Sequence, residues 1–381
     1  MNSEFPVYGF KLEFFDEQAA LMRYYYLTFR TERGEIEIFD LKLRRPFLKR
    51  TTLHNITLKD LYIGNKLMIN GRQYDITDYA DEYTRKVFSQ TGQHTYAMLK
   101  PGFYHRLGEA LDRIYKEGLI VANLRFGHVS RETAALFYQE HEGKPFYETL
   151  VRYITSGPIV ALELVGPNAI SKWRQIIGPT NLERAKSEAP NSLRALYARS
   201  TTENFAHGSD SPTSAERELG IIFGMRSVQL SWQLHDTTCC VIKPHAVKAG
   251  VAGKIIAQIV QSGFEISGAM LASLDINMST EFLEVYRGVT EDFVEISQEL
   301  ASGPLIALEL KLSNSSSESP VHALREVCGP RDPIIAQALR PNSIRAKYGI
   351  DTVKNAVHCT DIEDDALLEC EYFFTLIDQS M

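Results

Sequence analysis

One histidine in a polar setting, Asn204-Phe-Ala-His207-Gly-Ser209-Asp-Ser211, holds the chain's clearest chemical potential. Glu218 lies seven residues past Ser211, inside an expected helix, where its carboxylate can point back at the imidazole. A neutral imidazole is a usable nucleophile near pH 7, and a carboxylate partner fixes its tautomer. Lys100, Arg174 and Arg194 add three fixed positive charges. That set suits phosphoryl transfer, which needs little covalent help but much stabilisation of charge on the equatorial oxygens. A glycine cradle is absent. Gly250-Val-Ala-Gly253-Lys254 is too short between its glycines for a Walker A loop, lacks the following Ser or Thr, and reads as a turn into a helix. Phosphate must therefore be met by side chains.

The elements that position these residues occur twice. Ala97-Met-Leu-Lys100-Pro101 returns as Cys240-Val-Ile-Lys243-Pro244, and Ser156-Gly-Pro-Ile-Val-Ala-Leu-Glu-Leu164 returns as Ser302-Gly-Pro-Leu-Ile-Ala-Leu-Glu-Leu310. Asn191-Ser-Leu-Arg194 matches Asn342-Ser-Ile-Arg345, and Asn204-Phe-Ala-His207 matches Asn355-Ala-Val-His358. The separation is 143 at the lysines, 146 at Ser-Gly-Pro and 151 from Ile177-Gly-Pro179 onward, with small insertions such as the Ser-rich stretch at Asn314 to Ser319. Two homologous domains are expected, over 91–227 and 228–381, behind an N-terminal segment of 1–90.

Short apolar strands alternate with helical patterns in each repeat, and Gly118 and Gly263 stop the first helix, so each repeat is a layered α+β domain with helices over a sheet. The N-terminal segment reads as small and β-rich. Gly34-Glu-Ile-Glu-Ile-Phe alternates with period two, and Asn70-Gly71 signals a type I′ hairpin turn. Helical spacing is scarce there.

Each repeat resembles the nucleoside diphosphate kinases, whose Asn-x-x-His-Gly-Ser-Asp motif is matched at Asn204 to Asp210. The resemblance implies a ferredoxin-like α/β sandwich and a His207 that takes phosphate from a nucleoside triphosphate and passes it to a diphosphate. By the same resemblance, Lys100 and Tyr138 lie on the phosphate side, and Phe146 is the ring that stacks on the base. Arg174, Thr180 and Arg194 clamp phosphate, Asn204 contacts ribose and phosphate, and Ser209 and Glu218 orient His207. A stacking ring without base-edge donors accepts any nucleobase. Mg²⁺ with ATP is implied, the ion bridging phosphates and held by the nucleotide rather than by a protein cage. Family members also assemble through the sheet edge and first helix, which implies an internal pseudo-dimer of the two repeats.

The second repeat keeps Lys243, Arg325, Arg345, Asn355, His358 and Glu369. The Pro-Phe platform falls at Glu291-Asp292, with Phe293 one residue further on, and Arg331 stands in place of Thr. Cys359-Thr360 replaces Gly-Ser. A Cβ beside the imidazole is expected to crowd it, and acidic side chains to repel polyphosphate. The second site is expected to be a retained fold with a worn site.

Residues 1–90 resemble the DM-ten domain of ciliary proteins through Phe47-Leu-Lys-Arg50, Asp60-Leu-Tyr-Ile-Gly64 and Asp78-Tyr-Ala-Asp81-Glu-Tyr-Thr84. The resemblance implies a pleckstrin-like β fold and a place on the inner wall of ciliary doublet microtubules. One such domain before two kinase repeats implies an axonemal protein of the cilium or flagellum, with the centrosome or basal body as a further location. Lys42, Arg44, Arg45, Lys49 and Arg50 crowd into nine positions of a chain whose net charge is −7. Such a cluster suits an acidic partner such as tubulin. The overall charge and the lack of recognition motifs disfavour nucleic acid. Cys239, Cys240, Cys328, Cys359 and Cys370 are odd in number and form no C-x-x-C pair, so they read as reduced packing residues. The absence of any long apolar run or signal-peptide pattern leads to the expectation of an intracellular, soluble protein. Two readings follow and are compatible: an enzyme that regenerates nucleoside triphosphates, and a structural microtubule inner protein that uses kinase folds as packing modules.

Overall fold

A computed structural model describes residues 5–16, 18–53, 56–224, 226–313 and 319–380. The Ser-rich insertion at 314–318 lies outside the described residues.

The N-terminal segment is one antiparallel sheet of β1 (Val7–Asp16), β2 (Leu21–Arg30), β3 (Glu35–Asp40), β4 (Arg45–Thr52), β5 (Lys66–Ile69) and β6 (Arg72–Tyr79), in spatial order β4-β3-β2-β1-β6-β5. Alternation buries Phe10, Leu12, Leu27, Ile36 and Ile38 on one face. Asn70 and Gly71 take φ of 50° and 76°, as the I′ turn requires. The sequence reading missed a helix here, α1 (Glu82–Thr91). Asp81 caps it by accepting from the Thr84 amide at 2.7 Å, and Phe88 closes the core against Phe10 and Tyr8 at ring distances of 5.2 and 5.1 Å.

The first repeat runs β7 (Gln93–Leu99), α2 (Leu107–Lys116), β8 (Ile120–Val129), α3 (Arg131–Phe137), α4 (Tyr147–Ile154) and β9 (Ile159–Gly166). It continues through α5 (Ala169–Ile177), α6 (Leu182–Glu188), α7 (Leu193–Tyr197), β10 (Ala206–Gly208) and α8 (Pro212–Leu219). A connecting strand, β11 (Val228–Leu230), pairs back onto β8. The second repeat follows with β12 (Thr237–Ile242), α9 (Pro244–Lys248), α10 (Ala252–Gln261), β13 (Phe264–Ala272), α11 (Ile276–Phe282), α12 (Phe293–Leu300) and β14 (Leu305–Leu312). It ends with α13 (Pro320–Cys328), α14 (Pro333–Leu339), α15 (Ile344–Tyr348), β15 (Val357–Cys359), α16 (Glu363–Glu371), a π-helical stretch Tyr372–Ile377 and α17 (Asp378–Ser380).

The strand order β10-β7-β9-β8-β13-β14-β12-β15 is a ferredoxin-like 4-1-3-2 sheet followed by its own mirror order. The two sheets join through Arg125 of β8 opposite Met270 of β13. Under the seam α2 crosses α10, and here Gly253 corrects its sequence reading. It lies inside α10, and the turn is made by Gly250 at φ 71°. A Cβ on Gly108 would sit 2.4 Å from the Ala257 amide nitrogen, and one on Gly253 would sit 2.3 Å from that of Asp112. Only glycine lets the two backbones approach so closely. A single apolar core, including Leu107 and Leu111 of α2 and Ile255 and Ile256 of α10, runs through both repeats. The linker is held by Glu309, which is fully buried and accepts from the amides of Gln233 and Leu234 at 2.8 and 2.6 Å. The N-terminal unit touches the second repeat through an ion pair between Asp60 and Lys248 at 2.7 Å.

Candidate active site

His207 sits on the short edge strand β10, opposite Met98 of β7. A tight turn delivers it there. The Ala206 amide donates to the Asn204 carbonyl at 3.0 Å across Phe205, whose φ is 78°. This is the positive-φ form of the γ-turn, a rare and strained conformation. It holds because Phe205 is fully buried against Phe103 and Tyr197, and because its carbonyl accepts from the Lys100 amide at 2.9 Å. The second repeat has the same turn at Ala356, with φ 73°.

Trp173 of α5 donates from its indole nitrogen to the His207 carbonyl at 2.9 Å. Gly208 gives that indole room, since a Cβ there would lie 2.4 Å from the Trp173 ring. The His207 Nε2 lies 3.0 Å from Glu218 Oε2, and the Ser209 hydroxyl donates to the same oxygen at 2.7 Å. With the carboxylate ionised, Nε2 carries the proton and Nδ1 keeps its lone pair. Phe137 meets the imidazole edge-on at 5.1 Å and Tyr96 lies at 5.9 Å, so the ring has walls as well as a partner. Arg217 stands 3.9 Å from the other Glu218 oxygen.

The cations lie next to this strand. The Lys100 ammonium donates to Asn204 Oδ1 at 2.7 Å and to the Thr202 carbonyl at 3.2 Å, and burial together with nearby Arg194 lowers its pKa to about 7. Arg194 donates to the carbonyls of Gly178 and Ala206 at 2.6 and 2.8 Å and to the Thr180 hydroxyl at 3.4 Å. Burial, then the charge of Arg174, lowers its pKa to about 10. Arg174 is exposed and has no ion pair among the described residues. Asp210 is held below the usual carboxylate range by the Ser214 hydroxyl, with a lesser contribution from Arg174. Tyr138 is buried beside Phe137, with His141 stacked on it, and Phe146 stands half-exposed at the start of α4 next to Lys144. Of the residues that sequence reasoning named, the structure joins Lys100 with Asn204, Arg194 with Thr180, and His207 and Ser209 with Glu218. That reasoning missed Trp173, Phe137 and Tyr96, which meet the histidine from distant segments, and Arg217, which stands beside Glu218 on the same helix.

The second repeat keeps the core of this arrangement. His358 Nε2 lies 2.9 Å from Glu369, and Thr360 donates to that carboxylate at 2.7 Å in the manner of Ser209. Burial works against a charged His358, yet the Glu369 carboxylate outweighs it and its pKa rises. Arg345 donates to the Gly329 and Val357 carbonyls, as Arg194 does to their counterparts.

Cys359 is buried with its Sγ 3.6 Å from the Arg345 guanidinium, and Leu324 stands at the sequence position of Trp173. The mouth of the cleft differs more. Asp292 forms an ion pair with Arg331 and accepts from the Thr352 hydroxyl at 3.2 Å, which ties the α11–α12 side to the loops opposite. Of the two acids expected to repel polyphosphate, Asp292 is thus paired with a cation. Tyr286 meets His358 edge-on at 6.0 Å and donates to Asp361 at 2.8 Å. Arg325 donates to the Asp361 carbonyl. Lys243 turns to the Val353 carbonyl at 2.7 Å, leaving the Asn355 side-chain oxygen without a partner. Burial also lowers the Lys243 pKa to about 7. Behind these contacts lies a cavity of about 330 Å³, with Phe293 in its wall. The His358 side chain is 10% exposed against 23% for His207.

Comparison with known proteins gives the family. The family model "Nucleoside diphosphate kinase" matches residues 93–228 and 236–378. Nucleoside diphosphate kinase homolog 7 of Rattus norvegicus is 41% identical over 374 residues, covering 97% of this chain and 93% of that protein. A nucleoside diphosphate kinase of Deinococcus radiodurans is 48% identical over 134 residues, which is 35% of this chain and 95% of the bacterial one. Among solved structures, a Halobacterium salinarum nucleoside diphosphate kinase in complex with CDP is 32% identical, covering 37% of this chain and 93% of that one with a TM-score of 0.33. With the family pattern on both repeats and a relative matched over nearly its whole length, the chain belongs to the nucleoside diphosphate kinase family.

Proposed function

We propose that the first repeat is a working nucleoside diphosphate kinase and that the second is not. The pairing of His207 Nε2 with Glu218 supports the first part by leaving Nδ1 as the nucleophile. The Asp292–Arg331 ion pair at the second entrance, where the first repeat has Phe146 and Thr180, supports the second. In the first half-reaction the Nδ1 lone pair attacks the γ-phosphorus of a nucleoside triphosphate, and the bond to the β-bridging oxygen breaks to release the diphosphate. In the second half-reaction a terminal oxygen of another diphosphate attacks the same phosphorus and the P–N bond breaks. Glu218 stabilises the imidazolium character that develops as Nδ1 gives up its lone pair. Lys100, Arg194 and exposed Arg174 take the charge on the transferring oxygens, and Phe146 offers a face to the base. Among the described residues no group of three His, Cys, Asp or Glu side chains is placed to hold a metal ion. Mg²⁺ would therefore arrive on the nucleotide's own phosphates, where it neutralises charge. The test is a nucleotide-exchange assay on the full chain beside His207→Ala. Exchange that survives His207→Ala would remove the reading.

The second reading, docking on the inner wall of ciliary doublets with tubulin as partner, draws its support from β4. Lys42, Arg44, Arg45, Lys49 and Arg50 are all exposed on this edge strand or its turn, and none has an ion pair among the described residues. An unpaired basic edge suits an acidic polymer. The six-stranded sheet with its closing helix is compatible with the pleckstrin-like reading of this domain.

A further inference from the structure

Arg217 stands one residue before Glu218 on α8, at the position where the second repeat has Leu368. The glutamate is buried against the imidazole, while the arginine reaches the end of α3 and is 31% exposed. Its guanidinium makes three contacts at once. It donates to the Phe137 carbonyl at 3.1 Å, pairs with Glu140 at 3.3 Å and lies 3.9 Å from Glu218 Oε1. That oxygen is the one which His207 and Ser209 leave unused, since both meet Oε2. Phe137 is also the ring that meets the imidazole edge-on. The second repeat keeps the histidine, the carboxylate and the ring as His358, Glu369 and Phe282, with Phe282 at 5.1 Å from the imidazole. It lacks the cation and its counter-ion. Leu368 and Val285 stand for Arg217 and Glu140 and are 62% and 56% exposed. There burial opposes a charged imidazole, yet Glu369 outweighs it and the His358 pKa is raised. An imidazolium carries a proton on both nitrogens and has no lone pair for phosphorus.

We propose that Arg217 is a positioning residue of the first site: positive charge held beside Glu218 keeps His207 neutral, and so nucleophilic, near pH 7. A carboxylate on its own stabilises the imidazolium it touches, and a cation next to that carboxylate works against a second positive charge. The other groups around His207 do not fill this role. Burial raises the Tyr96 and Tyr138 hydroxyls, which stay neutral, and the Ser214 hydroxyl holds Asp210 in its charged form. Lys100, Arg174 and Arg194 act in the same direction as Arg217 in the empty site, but polyphosphate meets their charge once nucleotide binds. Arg217 is engaged by Glu218 and Glu140 and keeps its effect. The inference rests on His207 being the nucleophile, yet its test needs no turnover.

An NMR titration of the full chain with isotope-labelled histidine tests it, the His207 signal being assigned with His207→Asn. Two variants remove the charge: Arg217→Leu copies the second repeat, and Arg217→Gln keeps a polar side chain. Both are expected to raise the His207 midpoint by roughly half to one pH unit, the scale of losing a partly screened charge a few ångströms away. Arg217→Lys keeps the charge and is expected to leave the midpoint at the wild-type value. The acid limb of kcat/KM for nucleotide exchange is expected to move with the midpoint, and the loss to fade above about pH 8. An unmoved His207 midpoint in Arg217→Leu and Arg217→Gln overturns the assignment, as does an equal shift in Arg217→Lys. A wild-type chain with no exchange at all would remove the kinase reading instead, and the titration would still decide what Arg217 does.

Discussion

Asp292 and Arg331 bridge the mouth of the second cleft, where the first repeat sets the ring of Phe146 and the hydroxyl of Thr180. The two repeats are thus alike at the histidine and unlike at the entrance. Exchange activity is accordingly expected to fall by about 10³-fold or more in His207→Ala, the scale of losing a covalent nucleophile, and to stay near wild type in His358→Ala. Steady-state assays on the two single variants decide the point, and equal losses would place chemistry in both repeats.

The site of phosphorylation follows from the hydrogen bond at Nε2. Mg-ATP is expected to produce an acid-labile, base-stable phosphohistidine on His207, carried at Nδ1. Mass spectrometry locates the residue and phosphorus–proton NMR correlation identifies the nitrogen. Phosphate on Nε2 would show that Glu218 does not hold the tautomer argued above.

Burial lowers the Lys100 pKa to about 7, so before nucleotide binds its charge is partial near neutral pH. Polyphosphate draws the proton back, so nucleotide binding between pH 7 and 8 is expected to take up protons. Calorimetry in two buffers of different ionisation enthalpy measures the uptake, which Lys100→Met is expected to remove. Identical heats in the two buffers would contradict it.

Lys243 gives the same shift a stability consequence. Its folded pKa of about 7 lies below the ordinary 10.5, so between those values the unfolded chain binds more protons than the folded one. Its contribution to stability therefore rises with pH across that window, and the full cost of burying the ammonium is present below pH 7. Lys243→Met is expected to gain stability relative to wild type below pH 7, and the gain is expected to shrink toward pH 10. Chemical denaturation at several pH values reads the trend, and a pH-independent difference would refute it.

Location is expected to depend on residues 1–90 and not on catalysis. Exposed ion pairs contribute ~0–1 kcal/mol each, and at ~0.6 M salt the Debye length falls to about 4 Å. A chain held to doublets by apolar docking as well as charge stays through that wash. Deleting residues 1–90 is expected to release it even with His207 intact. Complete loss of the full chain into the wash would favour a freely diffusing kinase.

The sequence carried most of the catalytic arrangement because its parts are local. His207, Ser209 and Glu218 lie within one strand and the following helix, and the helix stops at Gly118 and Gly263 take the positive φ expected of them. What escaped is long-range. Trp173 reaches the His207 carbonyl from another helix, and Tyr286 reaches His358 from the turn after α11, so no spacing announces either. Gly253 read as a turn because its real constraint, the backbone of α2, is distant in sequence. The need for Gly208 was not legible from its own position, because the ring a Cβ there would meet is Trp173, which lies on a distant helix. The second repeat has Leu324 at that place and Cys359 in the glycine's. Helix α1 has its capping signal in Asp81 and Thr84, but too short an apolar stripe to stand out against the strands before it.

The seam between β8 and β13, with α2 and α10 beneath it, does not come apart on dilution. A two-chain version of the same contact would dissociate as concentration fell, whereas here the linker keeps each half at a high effective concentration for the other. The covalent connection also frees the contact from having to fit itself twice. In a symmetric pair every useful residue appears on both sides, but here Arg125 takes an ion pair with Asp378 at 2.6 Å while Met270, its partner across the seam, takes none. One half can therefore change its entrance, its surface and its share of the seam while the other keeps the chemistry, and neither change is copied across.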